Sequence, residues 1–124
     1  MKDPTSPVCR TISTLLSRIG DKWTVLVVTT LADGSKRFNE LRREIPTVSQ
    51  RMLTLTLRNL ERDGLVSRTV TPSIPPRVDY ALTELGHSLQ KPITGLAQWA
   101  LDNVGAIHEA QAVFDAEADK AQAA

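Results

Sequence analysis

Residues 37–64 read "RFNELRREIPTVSQRMLTLTLRNLERDG". Two helical patterns lie end to end in this stretch. In the first, Phe38, Leu41 and Ile45 recur at spacings of three and four, and Pro46 stops the run. In the second, Leu53, Leu57 and Leu60 repeat at i, i+4 and i+7, and Gly64 ends it. The "TVSQ" between them offers two starts, Ser49 as a simple cap or Thr47 with Gln50 as a capping box. Two short helices joined by so tight a turn have the order of a helix-turn-helix.

The second helix carries the chemistry. With its leucines turned inward, a wheel of about 100° per residue puts Arg51, Thr54, Leu55, Arg58 and Arg62 on the outer face. Arginine grips phosphate or both acceptors of guanine, and threonine serves either role. Leu55 is out of place on such a face. It packs either on a thymine methyl or into a gap against the hairpin that follows.

Downstream, "LVSRTVT" (65–71) and "RVDYALT" (77–83) alternate as short strands. Between them Pro72, Pro75 and Pro76 form a stiff, exposed turn, where no ladder donor is needed. A helix pair followed by a hairpin is the order of a winged helix-turn-helix. There the second helix enters the major groove and the hairpin reaches the flanking backbone or minor groove. A stiff turn loses little entropy on meeting DNA.

Upstream, residues 1–7 read as a loose arm, and Ile12, Leu15, Leu16 and Ile19 define one helix face up to Gly20. "KWTVLVVTTLADG" is ambiguous: its β-branched residues suit a strand, whereas its length, the Asp21 cap and Gly34 suit a buried helix. Helix is the better reading. After the wing, Thr83 caps a helical region with Leu85, Leu89, Ile93, Leu96 and Ala100 as its stripe. Pro92 is expected to kink it and Gly105 to break it in two.

At 124 residues the chain suits one domain, and its 41% apolar content suits a packed core. No apolar run approaches the roughly 20 residues of a membrane span, and "MKDPTSPVCR" is unlike a signal peptide. A cytoplasmic location without membrane contact is expected. The net charge of +1 hides a segregation: residues 36–68 hold eight basic and four acidic side chains, residues 100–124 one and five. A basic middle beside an acidic tail points to a polyanionic partner. His87 and His108 lack metal-ligand spacing, and Trp23 and Trp99 suit a core or an interface better than a cofactor cage. No cofactor, metal or enzymatic activity is expected; a catalytic role for the single cysteine, Cys9, lacks a partner at motif spacing.

The sequence also resembles a family. Cys9, "IGDKWT" (19–24), "RFNELRREIP" (37–46), "SQRMLTLTLRNLERDGLVSR" (49–68), "PPRVDYALTELG" (75–86) and Trp99 occur in the order and spacing of HxlR-type regulators. These are bacterial winged-helix transcription factors related to MarR, and the resemblance covers roughly residues 8–103. It implies a mainly α (α+β) winged helix-turn-helix with extra N-terminal and C-terminal dimerisation helices. Residues 8–20 would be the N-terminal dimer helix, 21–82 the DNA-binding core with its wing at 65–82, and 83–120 the C-terminal dimer helices. It implies a homodimer on an inverted-repeat operator in double-stranded DNA, in the manner of a repressor. Gln50, Arg51, Thr54 and Arg58 then fall on the recognition helix and Arg77 at the base of the wing. Lys36, Arg37, Ser49 and Leu55 complete the candidate DNA contacts. The candidate dimer contacts are Ile12, Leu15 and Leu16, then Leu89, Ile93, Leu96 and Trp99. Two positions depart from the family: Leu55 stands where a polar residue is usual, and Asp21 where glycine is common.

Members of that family often sense oxidants or electrophiles through a cysteine just ahead of the first helix, the position that Cys9 matches. A thiol near a helix N-terminus beside Arg10 gains thiolate character. With one cysteine per chain, a disulfide must reach the other subunit's Cys9 or a small thiol. The competing reading is an inert thiol in the dimer seam. A small electrophile or an aromatic compound is the candidate effector. The rival function is a winged helix that docks proteins and does not bind DNA; it requires Glu61 and Asp63 to neutralise the arginines of residues 50–62.

Overall fold

A computed structural model describes residues 5–123. Helices α1 (Pro7–Gly20), α2 (Lys22–Thr30), α3 (Phe38–Glu44) and α4 (Gln50–Arg62) come first. Strands β1 (Val66–Thr71) and β2 (Arg77–Leu82) follow, then helices α5 (Glu84–Ser88) and α6 (Gln90–Ala123). The described chain divides after Gln90 into two compact units.

In the first unit each boundary has a local cause. Ser6 caps α1 by accepting from the Cys9 amide at 3.1 Å, and Pro7 fills a first-turn position where its missing N–H costs nothing. Ser6 and Pro7 therefore belong to a helix start, although residues 1–7 were expected to be loose; residues 1–4 lie outside the described residues. Asp21 accepts from the amides of Trp23 and Thr24 at 2.8 and 3.2 Å, so the β-branched segment begins as a helix. It tightens into a 3₁₀ turn at Leu31–Asp33. Of the two starts offered for α4, the simple cap is used: Ser49 Oγ accepts from the Met52 amide at 3.0 Å. Gly64, at φ 77°, takes the left-handed conformation that closes α4.

The core of this unit is where α2, α3, α4 and the hairpin converge. Val27, Val28, Leu31, Leu41, Leu53, Leu57 and Leu60 are at most 1% exposed. Full burial of each such side chain stabilises the fold by about 1.5–3 kcal/mol. Ile45, Val48, Val66 and Leu82 close the edges of that core.

The strands pair antiparallel, with Val66 opposite Leu82, Arg68 opposite Tyr80 and Thr71 opposite Arg77. Lys36 adds a third rung through its backbone, donating to Tyr80 at 2.9 Å and accepting from it at 2.8 Å. Thr83 fastens the end of the hairpin: its hydroxyl donates to the Gly64 carbonyl at 2.7 Å and accepts from the Gly86 amide at 3.0 Å.

The C-terminal region departs from expectation. The break falls at Leu89, between α5 and α6, and α6 then runs unbroken for 34 residues. Pro92 lies in the first turn of α6, where amide donors have no helical partner, so no kink is forced. Gly105 costs about 1 kcal/mol relative to alanine, too little to break a long helix rich in alanine.

Candidate nucleic-acid interface

Helix α4 has a buried side and three exposed sectors. Leu53, Leu57 and Leu60 face the core as their spacing requires, and Thr56 joins them at 5% exposure. On the flank toward α1, Met52, Leu55 and Asn59 line a cavity of about 350 Å³ with Thr14, Ser17 and Arg18. On the flank toward the hairpin, Thr54, Arg58 and Glu61 line a cleft of about 390 Å³ with Arg68 and Tyr80. Gln50, Arg51 and Arg62 are exposed.

This geometry places Leu55. It borders α1, on the flank away from the wing, and remains 51% exposed. The gap it borders therefore lies against the N-terminal helix and not against the wing, where one of its two readings puts it.

The charges of α4 are distributed unevenly. Asp63, at its C-terminal cap, meets Arg18 of α1 at 2.8 Å, with both side chains mostly buried. The other ion pairs among the described residues are Lys36–Glu44 at 3.2 Å and Arg77–Asp79 at 2.9 Å. Arg51, Arg58 and Arg62 belong to none of the three. Asp63 is thus engaged elsewhere and does not neutralise the outer face of α4.

The remaining candidate contacts separate into groups. Ser49 is exposed at the start of α4, with its hydroxyl already accepting the cap bond. Lys36 is held by the fold: its side chain is 18% exposed and its ammonium pairs with Glu44, so it is poorly placed to contact DNA. Arg37 opens α3, its amide donating to Glu40 Oε1 at 3.0 Å while its side chain stays exposed. Arg77 leaves the proline turn on the outer face of the hairpin and pairs with Asp79 two residues on. Arg37 and Arg77 also line an open basic hollow of about 730 Å³ with Arg42 and Arg43 of α3.

Strand alternation could have revealed two lining residues that the helical wheel passed over. Val66 and Leu82 point into the core, and side chains two apart on a strand share a face. Arg68 and Tyr80 therefore stand on the α4 side of the hairpin, and Arg77 and Asp79 on the opposite side. The Arg18–Asp63 pair joins residues 45 positions apart and leaves no local pattern.

The candidate dimer residues also divide. In α1, Leu15 and Leu16 are 50% and 57% exposed and Ile12 is half-buried. Leu89 is half-buried, and Ile93 is 7% exposed, which leaves little of its surface for a partner. Leu96 and Trp99 in α6 are 61% and 60% exposed. Cys9 is half-buried and lies inside the first turn of α1, not ahead of the helix. No helix among the described residues is long and apolar enough to cross a membrane.

Comparison with known proteins agrees with this architecture. The HxlR-like helix-turn-helix family matches residues 18–108. The HTH-type transcriptional regulator YdeP of Bacillus subtilis is 43% identical over 106 residues, covering 86% of this chain and 83% of its own. Among solved structures, the redox regulator HypR in its reduced form superimposes with a TM-score of 0.72 at 41% identity, covering 80% of this chain and 98% of its own. The reduced form of YodB from B. subtilis gives 0.67 at 38% identity, covering 77% and 91%. With helix α4 exposed after a tight turn, a hairpin behind it and this match, the chain belongs to the HxlR-like helix-turn-helix family of transcriptional regulators.

Proposed function

We propose that this regulator works as a homodimer on an inverted-repeat operator, represses transcription there, and responds to oxidants or electrophiles through Cys9. The observation that carries DNA binding is the outer face of α4, whose three arginines lie outside the described ion pairs while Asp63 is held by Arg18. A protein-docking helix would instead have its own acids on those arginines. Exposed apolar side chains on α1 and α6 support dimerisation. Two-fold symmetry then sets the two α4 helices about 34 Å apart, or a small multiple, along one face of the duplex. Operator binding places the working protein in the cytoplasm.

The sensor reading is supported by the position of Cys9 in the first turn of α1 and by the likeness to HypR, described as a redox regulator. Two Cys9 thiols would join as one disulfide, and the oxidant would take up two electrons and two protons.

Footprinting on the DNA upstream of the gene identifies the operator, and fluorescence anisotropy on that duplex tests the assignment. Replacing Arg51 and Arg58 together by alanine is expected to weaken binding by at least tenfold and to lower its salt dependence. Undiminished binding by the double variant at physiological salt would overturn the role of α4. For Cys9, a linked dimer on non-reducing electrophoresis after mild oxidation, absent in Cys9→Ser, is the expected result. An unlinked wild type together with a Cys9→Ser strain that responds normally would exclude disulfide sensing.

A further inference from the structure

We infer that the cleft between α4 and the hairpin is a seat for one phosphodiester group of the DNA, with Arg68 of β1 as its second cationic wall. The inference rests on the DNA-binding reading above and assigns a role within it to Arg68 and Tyr80.

A recognition helix occupies the major groove, while a wing reaches toward the neighbouring minor groove. Those two grooves are separated by a single sugar-phosphate strand. That strand must cross the space between helix and wing. In this protein the space is the cleft of about 390 Å³ lined by Thr54, Leu57, Arg58, Glu61, Arg68 and Tyr80.

The lining suits a phosphate. Arg58 approaches from the helix and Arg68 from the first strand, and neither is in an ion pair among the described residues. Two guanidinium groups on opposite walls present planar forks of donors to tetrahedral oxygens. The hydroxyls of Thr54 and Tyr80 are further donors of the kind that phosphates accept. Glu61 is the one carboxylate in the cleft, against two guanidinium groups, and it opposes a bound anion.

Backbone construction fixes the second wall. Arg68 lies directly across the ladder from Tyr80, whose amide and carbonyl are both tied to Lys36. The strand carrying Arg68 is therefore held on a rigid element and is not on the wing tip. Arg58 and Arg68 position the protein on the duplex, and base reading falls to Gln50, Arg51 and Leu55 farther from the cleft. Phosphate contacts fix register without carrying sequence information.

The test measures binding of full-length wild type, Arg68→Ala, Arg68→Lys and Lys120→Ala to a random-sequence 25-base-pair duplex and to the footprinted operator, from 50 to 200 mM salt. Arg68→Ala is expected to weaken both duplexes by the same factor and to lower the salt slope by about one. Its deficit relative to wild type should then shrink about 3.5-fold across that salt range, from a slope of about 0.9 per phosphate. Arg68→Lys should restore the slope, and Lys120→Ala, which removes a like charge from α6, should leave it unchanged. A wild-type slope in Arg68→Ala, or a loss confined to the operator, would overturn the phosphate seat. Failure of the wild type to bind either duplex would instead overturn the DNA-binding reading itself.

Discussion

Helix α4 has 13 residues and buries four side chains, Leu53, Thr56, Leu57 and Leu60. Helix α6 has 34 residues and buries one, Ile93. Both sequences are rich enough in apolar residues to seek cover. On α4 every leucine but Leu55 falls on one narrow stripe that the rest of its unit meets. On α6, Leu96, Trp99, Ile107 and Phe114 also share a stripe at helical spacing, yet they remain 39–71% exposed. Periodicity marks which face of a helix is apolar. It does not say whether the cover comes from the same chain or from another molecule.

Four substitutions would break or sharpen that contrast. The largest effect belongs to Leu57→Ala on α4, expected to cost about 2–5 kcal/mol of protomer stability by removing a filled core position. Leu101→Ala on α6, at a leucine 71% exposed, should stay within about 0.5 kcal/mol. Urea unfolding of both variants checks the pair; equal losses would make α6 part of the protomer core. Next comes Trp99→Ala, which should weaken dimerisation by about 2 kcal/mol, or roughly thirtyfold, if Trp99 anchors the interface. Sedimentation across a dilution series reads this, and an unchanged dimer would move the interface off the α6 stripe. The smallest effect is Gly105→Ala. Nothing lies within 4 Å of a Cβ built there, so alanine should stabilise the helix by about 1 kcal/mol. A thermal melt shows the gain. A weaker dimer in its place would mean that the bare backbone of Gly105 lies against the partner.

The same contrast explains what could be read from the sequence. The reading helix was legible because every signal is local: leucines at fixed spacing, Ser49 before them, Gly64 after. The wing was legible from three prolines between two alternating runs. The course of α6 was harder, since Gly105 and Pro92 are breakers only in the wrong context. One lies mid-way along a long helix whose other residues outweigh its small cost, and the other sits in a first turn. At 21–33 the segment's length, the Asp21 cap and Gly34 together outweigh six β-branched residues. Of the candidate contacts, those on α4 followed from a wheel, whereas Lys36 could not be seen to be tied to Glu44, nor Arg68 to border the cleft, without the hairpin register. The Leu55 alternatives likewise needed the neighbouring helix to be in place.

Helix α1 runs without interruption from Pro7 to Gly20. Cys9 is near one end of it and Arg18 near the other, nine residues or about 14 Å apart along the axis at about 1.5 Å each. The far end is clamped, through Arg18, to the terminal cap of α4 at Asp63. The two ends are thus one stiff lever with a charged hinge pin. Whatever shifts the N-terminal end of α1 as a rigid rod also shifts Arg18, and the ion pair ties that shift to the C-terminal cap of α4.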